Sequence, residues 1–239
     1  MAGPLRGARI VTSWHDYPGA ITGRTERPLL RWFEQHVKPG QTWLDVGAHY
    51  GYTAIALGRL VREAGRVFAF EPVVATAGCV ARTVRLNALT GVTVIPHALG
   101  SPASLTRQQA PSTRGMIDST LSGADGTSDV HGATPGEDML VCRFDWLWPL
   151  ICSEQPRVDG VKIDVQGMEL EVLRGMVETL AVQTPPLVVE LHKGVDRNQL
   201  RSLLHSLGYS VDPLAIEAEG GESAGELQDD RSYVFSRAE

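Results

Sequence analysis

The run Trp43-Leu44-Asp45-Val46-Gly47-Ala48-His49-Tyr50-Gly51 constrains this chain more than any other stretch. An apolar strand ends in an acid, two glycines follow four residues apart, and Tyr52-Thr53-Ala54-Ile55-Ala56-Leu57 opens a helix. A strand that passes through a glycine turn into a helix brings backbone close to a ligand and aims helix N–H groups at it. The turn lacks the three-glycine spacing of a dinucleotide fingerprint and the Lys-Ser/Thr of a phosphate loop. Asp-x-Gly-x-x-x-Gly fits a small charged nucleoside instead, and S-adenosyl-L-methionine is the first candidate.

Further along, Gly65–Pro72 reads as an apolar strand ending in Glu71, Val73–Leu89 as a helix and Val92–Leu99 as a third strand. Strands alternating with helices imply βαβ units and an α/β fold built on a parallel sheet covered on both faces. The rhythm breaks from Ser101 to about Met139, which is rich in Ser, Thr, Gly, Pro and Asp. A stretch of that length without regular structure suits a lid, a binding loop or disorder. Leu140–Phe144 is the next candidate strand, then Val158–Val165, a helix from Met168 to Leu180, a strand over Pro186–His192 and a helix over Arg197–Leu207. Tyr209–Val211 and Arg231–Ser236 would close the sheet as a hairpin, with acidic Glu217–Asp230 as a loop between them. An amphipathic helix, Arg27–Val37, precedes all of this. Length and a 43% hydrophobic content suit one domain. Within it we read 1–40 as a cap, 42–100 as the cofactor-binding half, 101–139 as a variable acceptor-side insertion and 140–239 as the second half of the sheet.

The formal net charge of −6 gives no electrostatic footprint for nucleic acid or an anionic membrane. Cys79, Cys142 and Cys152 show no metal-site spacing and read as free thiols of a reducing compartment. No apolar leader or span of transmembrane length is present, so a cytoplasmic protein is expected. The expected partner is a small-molecule acceptor, and whether the chain forms a homodimer is left open.

In an open α/β sheet, ligands sit outside the carboxyl ends of the strands. Asp45, Glu71, His97, Asp164, Glu190 and His192 all fall at or just past predicted strand ends. Glu71, ending the second strand, is placed to accept both ribose hydroxyls of an adenosyl ligand. Asp45 would act through the loop or on the ligand's amino group, and Gly47 and Gly51 would admit its methionine portion. The backbone of Ala98 and Leu99 is the expected adenine contact, with His97 as an alternative.

The spans Leu44–Tyr52 (LDVGAHYGY), Val67–Pro72 (VFAFEP), Ala98-Leu99-Gly100, Val161–Leu173 (VKIDVQGMELEVL) and Val188–His192 (VVELH) resemble FkbM-family S-adenosylmethionine-dependent methyltransferases. Arg143–Leu147 and Ser119-Thr120-Leu121 are similar to further segments of that family, and the likeness runs in order from about Thr42 to about Tyr209. The resemblance implies a Rossmann-like class I methyltransferase fold: a seven-stranded, mostly parallel sheet with an antiparallel last strand. It also implies methyl transfer to oxygen on a sugar, glycoside or polyketide-type hydroxyl. The cofactor set is then Asp45, Gly47, His49, Tyr50, Gly51, Glu71, Pro72, Ala98, Leu99 and Asp164. Two positions depart from the family pattern: Gln166 stands where Glu is common, and His49 where Asn is usual.

Transfer from a sulfonium to an alcohol is an in-line displacement that needs alignment and often a base. His192 is the leading base, because a neutral imidazole accepts a proton near physiological pH. Asp164 is the second candidate, and Glu190 either orients His192 or shares its face, being two residues away on a strand. Lys162, two residues from Asp164, suits a structural ion pair. Three alternatives stand beside this reading. One is N-methylation of an amine, which needs no strong base. Another is a metal-dependent sugar O-methyltransferase using Asp164 and Glu190, for which no third ligand is evident. The third is a nucleoside-binding scaffold without turnover. His15, Asp16 and Tyr17 suit a surface loop, and Trp146–Leu150 a core or interface segment.

Overall fold

The computed structural model describes residues 3–12, 26–110, 112–113, 116–117, 137–216 and 227–238. The polar-aromatic patch at His15–Tyr17, the Ser119–Leu121 segment and most of the 101–139 and 217–230 stretches lie outside the described residues.

Seven strands form the main sheet: β1 (Thr42–Val46), β2 (Arg66–Phe70), β3 (Val92–Ile95), β9 (Gly160–Ile163), β10 (Leu187–Leu191), β11 (Leu214–Ala215) and β12 (Arg231–Phe235). Their spatial order is β11-β12-β10-β9-β1-β2-β3. The pairs from β10 through β9, β1 and β2 to β3 are parallel, and β12 runs antiparallel between β10 and β11. The chain winds outward from β1 to β3, then returns to build β9 and β10 on the other side of β1. That reversal opens a crevice at the carboxyl ends of β1 and β9, where open α/β sheets bind ligands.

Alternation along the strands sorts the core into two layers. Trp43, Val67, Ala69 and Val188 face α1 (Arg27–His36), α2 (Tyr52–Val61) and α3 (Val74–Leu86). Leu44, Val46, Phe68, Phe70, Val161, Ile163 and Val189 face α4 (Phe144–Ile151), α5 (Glu169–Arg174), α6 (Val177–Gln183) and α7 (Arg197–Ser206). Burying both faces explains why β1 and β9 are buried at every position. A small second sheet joins β4 (Ala98–Leu99), β8 (Glu137–Cys142) and β5 (Thr106–Ala110), and β6 (Ser112–Thr113) pairs with β7 (Met116–Ile117).

Four expectations about elements need correction. The strand over Val92–Leu99 is two: Pro96 has no N–H for a ladder, so β3 ends at Ile95 and Ala98–Leu99 pairs instead with Val141–Cys142. Leu140–Phe144 is not one strand, because Phe144 begins α4, where Phe144, Leu147 and Trp148 recur at helical spacing and are buried. Trp146 and Leu150 of the same helix stay exposed. The helix over Met168–Leu180 is two helices that meet around Gly175. There the backbone passes so close to Gly100 that a Cβ would lie 2.0 Å from its carbonyl oxygen. Finally, the closing hairpin uses Leu214–Ala215 against β12. Tyr209 makes only an isolated bridge to Arg237, and its buried hydroxyl donates to the Pro185 carbonyl at 2.9 Å.

Candidate active site

The period of two puts Asp45, Lys162 and Glu190 on the α1/α2 side of the sheet, and the register sets Asp45 directly opposite Lys162. Asp45 is wholly buried. Its carboxylate accepts a hydrogen bond from the Thr53 hydroxyl at 2.7 Å and lies 3.4 Å from Lys162 Nζ. The same ammonium donates to the Gly47 carbonyl at 3.0 Å and lies 3.3 Å from Asp164. Burial alone would strip its proton, but the carboxylates of Asp164 and Asp45 outweigh that and hold it charged, well above the ordinary lysine range. One buried cation therefore fastens the glycine turn to two strand ends.

The turn can only be glycine at its first corner. Gly47 has φ of 82°, and a Cβ there would sit 1.8 Å from the Asp164 carbonyl oxygen. Next in the turn, His49 adopts a left-handed φ of 48°, a conformation that Asn and His tolerate better than most. Its backbone N–H donates to Glu71 at 2.8 Å, and the N–H of Val73 donates to the other Glu71 oxygen at 3.0 Å. Two N–H donors fix this carboxylate and favour its ionised form. Burial outweighs them and pushes its pKa up to about 7.

Past β9 the chain turns through Asp164, Gln166 (φ 56°) and Gly167 (φ 98°) into α5. Glu169, at the start of α5, is fully buried. Its carboxylate accepts from the Gly167 N–H at 3.0 Å and lies 2.7 Å from His192 Nδ1. The other ring nitrogen, Nε2, is 2.9 Å from the Gln166 side-chain amide nitrogen, 3.6 Å from Asp164 and 3.7 Å from Glu190. This arrangement fits the Nδ1–H tautomer, with Nε2 accepting from Gln166; protonation of Nε2 requires the amide to turn over and present its oxygen. Burial disfavours the imidazolium. The hydrogen bond to Glu169 and the nearby carboxylates of Asp164, Glu169 and Glu190 overcome that and raise the ring's pKa to about 8. Glu190 is itself raised to about 7, by burial first and by Asp164 second.

Of these groups, Gly47, His49, Glu71, Lys162, Asp164, Gln166 and Glu190 border one cavity of about 270 Å³ at the strand ends. The model of the methyltransferase FkbM domain matches residues 45–211, most of the chain and all the strand ends just described. The chain belongs to the FkbM methyltransferase family. It is 28% identical over 176 residues to the hexuronic acid methyltransferase AglP of Haloferax volcanii, covering 72% of this chain. The chain spans 65% of the length of that relative.

Solved structures show that the fold of this FkbM-family chain is that of class I methyltransferases. The methyltransferase FkbM of Methylobacillus flagellatus superposes with a TM-score of 0.55 at 15% identity, over 95% of this chain and 56% of that one. A precorrin-6y C5,15-methyltransferase from Geobacter metallireducens gives 0.51 at 15% identity, over 90% and 89%. Fibrillarin of Aeropyrum pernix, solved with natively bound S-adenosyl-L-methionine, gives 0.50 at 14% identity, over 97% and 83%.

Within this FkbM-family domain, Gly47, His49, Glu71, Pro72, Ala98, Leu99, Asp164 and Glu190 line the cavity, as do His97 and Lys162. Asp45, Tyr50 and Gly51 do not. Asp45 is a buried anchor for Lys162, Tyr50 packs edge-on against the His49 ring, and Gly51, at φ 84°, turns the chain into α2 against Val80. His192 stands just behind the wall, reached through Gln166, Asp164 and Glu190. Sequence reasoning missed two acids. Glu169 lies within Val161–Leu173, and its signal is an acid in the first turn of the helix that follows Asp164. Glu26, immediately before α1, also lines the cavity, and nothing in the local pattern announces it.

Proposed function

We propose that this chain is an S-adenosyl-L-methionine-dependent O-methyltransferase acting on a hydroxyl of a sugar or a similar small molecule. The observation that carries the reading is the pairing, in one cavity, of two unlike ends. The buried Glu71 and the glycine turn stand at β1–β2, and the Glu169–His192 pair stands behind Asp164 and Glu190 at β9–β10. The natively bound cofactor of the fibrillarin structure and the sugar-acid substrate named for AglP support it.

The residues present fit the cofactor. At Gly47 a Cβ would fill the space against Asp164, the first turn of α2 presents its N–H groups, and Glu71 keeps acceptor capacity beyond its two backbone bonds. S-adenosyl-L-methionine supplies an activated methyl group on a sulfonium. Glu71 would hold the ribose diol, and the backbone of Ala98 and Leu99 would border the adenine. Once the Gln166 amide turns aside from Nε2, His192 would take the hydroxyl proton there as the new C–O bond forms and the C–S bond of the sulfonium breaks to leave a neutral thioether, and Glu169 would stabilise the resulting imidazolium through Nδ1. Asp164 and Glu190 orient the acceptor hydroxyl.

Asp164, Glu190 and His192 also offer three ligand atoms within 4.8 Å of one another, the third ligand that the metal-dependent alternative lacked. We favour the metal-free reading because the site brings its own cation: Lys162 Nζ lies 3.3 Å from Asp164, where it would repel a divalent ion. Activity that survives EDTA and is not raised by magnesium or manganese is the expected outcome, and dependence on either metal would overturn this choice.

Isothermal titration with S-adenosyl-L-methionine tests the cofactor assignment. Glu71→Gln should weaken binding about 10- to 100-fold, since a charged acceptor of two hydroxyl donors is lost. Glu71 must be ionised to accept both hydroxyls, so wild-type affinity should fall as pH drops below about 7. Without ligand the sign is opposite: the raised pKa means that Glu71 favours folding at low pH and that this contribution is lost as pH rises from its ordinary value through about 7. No heat of binding at millimolar cofactor would sink the proposal.

Among the described residues, no helix is long and apolar enough to cross a membrane. A cytoplasmic enzyme that meets a free small molecule, not a nucleic acid or a membrane surface, is the setting we propose.

A further inference from the structure

The lining residues proposed to hold the cofactor stand at one end of the cavity, and the other end has a distinctive charge. Gly47, Glu71 and Leu99 border it over β1, β2 and the segment after β3. That leaves the side over β9 and β10, beneath the start of α1, for the second substrate. Glu26, Asp164 and Glu190 bring three carboxylates to that side, and Lys162 is the one cationic side chain lining the cavity among the described residues.

Lys162 is not available to a ligand. Its side chain is only 5% exposed, and its ammonium is shared among Asp45, Asp164 and the Gly47 carbonyl. The carboxylates are close enough to act on one another. Asp164 and Glu26 both push the Glu190 pKa upward, after burial, and Glu26 also reaches Lys162 electrostatically. A further negative charge placed among them meets repulsion that a partly desolvated cavity screens poorly. Ionised carboxylates accept hydrogen bonds and donate none, so their natural complement is a ligand rich in O–H or N–H donors.

Resting on the O-methyltransferase reading, we propose that Glu26 and Glu190 form an acceptor subsite selecting a polyhydroxylated sugar with no carboxylate, in contrast to the hexuronic acid named for AglP, and that an amino substituent on the sugar strengthens its binding. Glu26 is the specificity-determining residue of the pair. It enters from outside the sheet, with a left-handed φ of 53° immediately before α1, and lines the cavity within electrostatic reach of Glu190 and Lys162. Glu190 belongs to the sheet and serves both selection and orientation.

The test compares three matched methyl glycosides on the full chain with saturating S-adenosyl-L-methionine: a neutral hexoside, its 2-amino analogue and the corresponding hexuronide. At pH 7.5 the expected kcat/KM for the neutral and amino sugars exceeds that for the hexuronide by about 30-fold or more, as one unscreened like-charge contact requires. Glu26→Gln should narrow that ratio about tenfold, and Glu190→Gln should narrow it as well. Calorimetric affinity for the cofactor, unchanged in Glu26→Gln, confirms that the variant is folded.

Equal or better use of the hexuronide by the wild type, including methyl ester formation on its carboxylate, would overturn the proposal. So would a ratio unmoved in both variants. Turnover of none of the three sugars overturns it too, and cofactor binding then shows whether the methyltransferase reading survives.

Discussion

Replacing Lys162 with methionine is expected to lower the free energy of unfolding by about 3–5 kcal/mol, the range for removing one partner of a buried ion pair. Methionine keeps most of the aliphatic volume, so the loss reports the charge. Without the ammonium, Asp45 stays wholly buried with only the Thr53 hydroxyl to answer it, and the Gly47 carbonyl loses its donor. Urea denaturation followed by far-UV circular dichroism measures the change. The double variant Asp45→Asn with Lys162→Met should recover more than half of it, since removing both charges leaves neither stranded. A loss below about 1 kcal/mol in the single variant would mean that Lys162 does not anchor the turn. Cofactor affinity should fall in the same variant, because the Gly47 corner and Asp164 share this one cation.

The end of the cavity proposed for the cofactor was legible in the sequence as a turn and a strand-end acid, because these determinants are local. A strand-terminal acid followed by glycines four residues apart specifies a turn, and Glu71 ends the very next strand. The family resemblance then implied a seven-stranded, mostly parallel sheet with an antiparallel last strand, and the structure supplies the strand order and its reversal between β3 and β9. The acceptor end was less legible, because its geometry depends on contacts between residues far apart in the chain. Glu169 meets His192 across 23 residues of sequence, and Glu26 reaches the cavity from a helix start that carries no periodic signal. Asp45 shows the converse failure. Its position at a strand end reads as ligand-facing, but Thr53 and Lys162 take up its carboxylate and stand between it and the cavity. The pairing of Lys162 with Asp164 followed from spacing alone, and the structure adds Asp45 as its second partner.

His192→Ala should reduce kcat on a hydroxyl acceptor by about 10²- to 10⁴-fold, the usual contribution of a positioned base, with cofactor affinity little changed. The pH profile carries the sharper test. Only the neutral ring accepts a proton, and its pKa is held at about 8, so the wild-type rate should climb as pH rises and level off above about 8. The ring's effect on folding has the opposite sign. A histidine raised above its ordinary value stabilises the fold fully below about pH 6.5 and loses that contribution as pH passes 8, so the protein becomes faster and less stable over the same interval. Glu169→Gln separates positioning from general damage. Glutamine can still accept the Nδ1 hydrogen bond but removes the charge that favours the imidazolium, so the rise should move to lower pH and reach a lower plateau. Stopped-time product assays from pH 6 to 9.5 decide the matter. A profile unmoved in Glu169→Gln would deny the pair its role, and near-full activity in His192→Ala would favour methylation of an amine, which needs no base at that position.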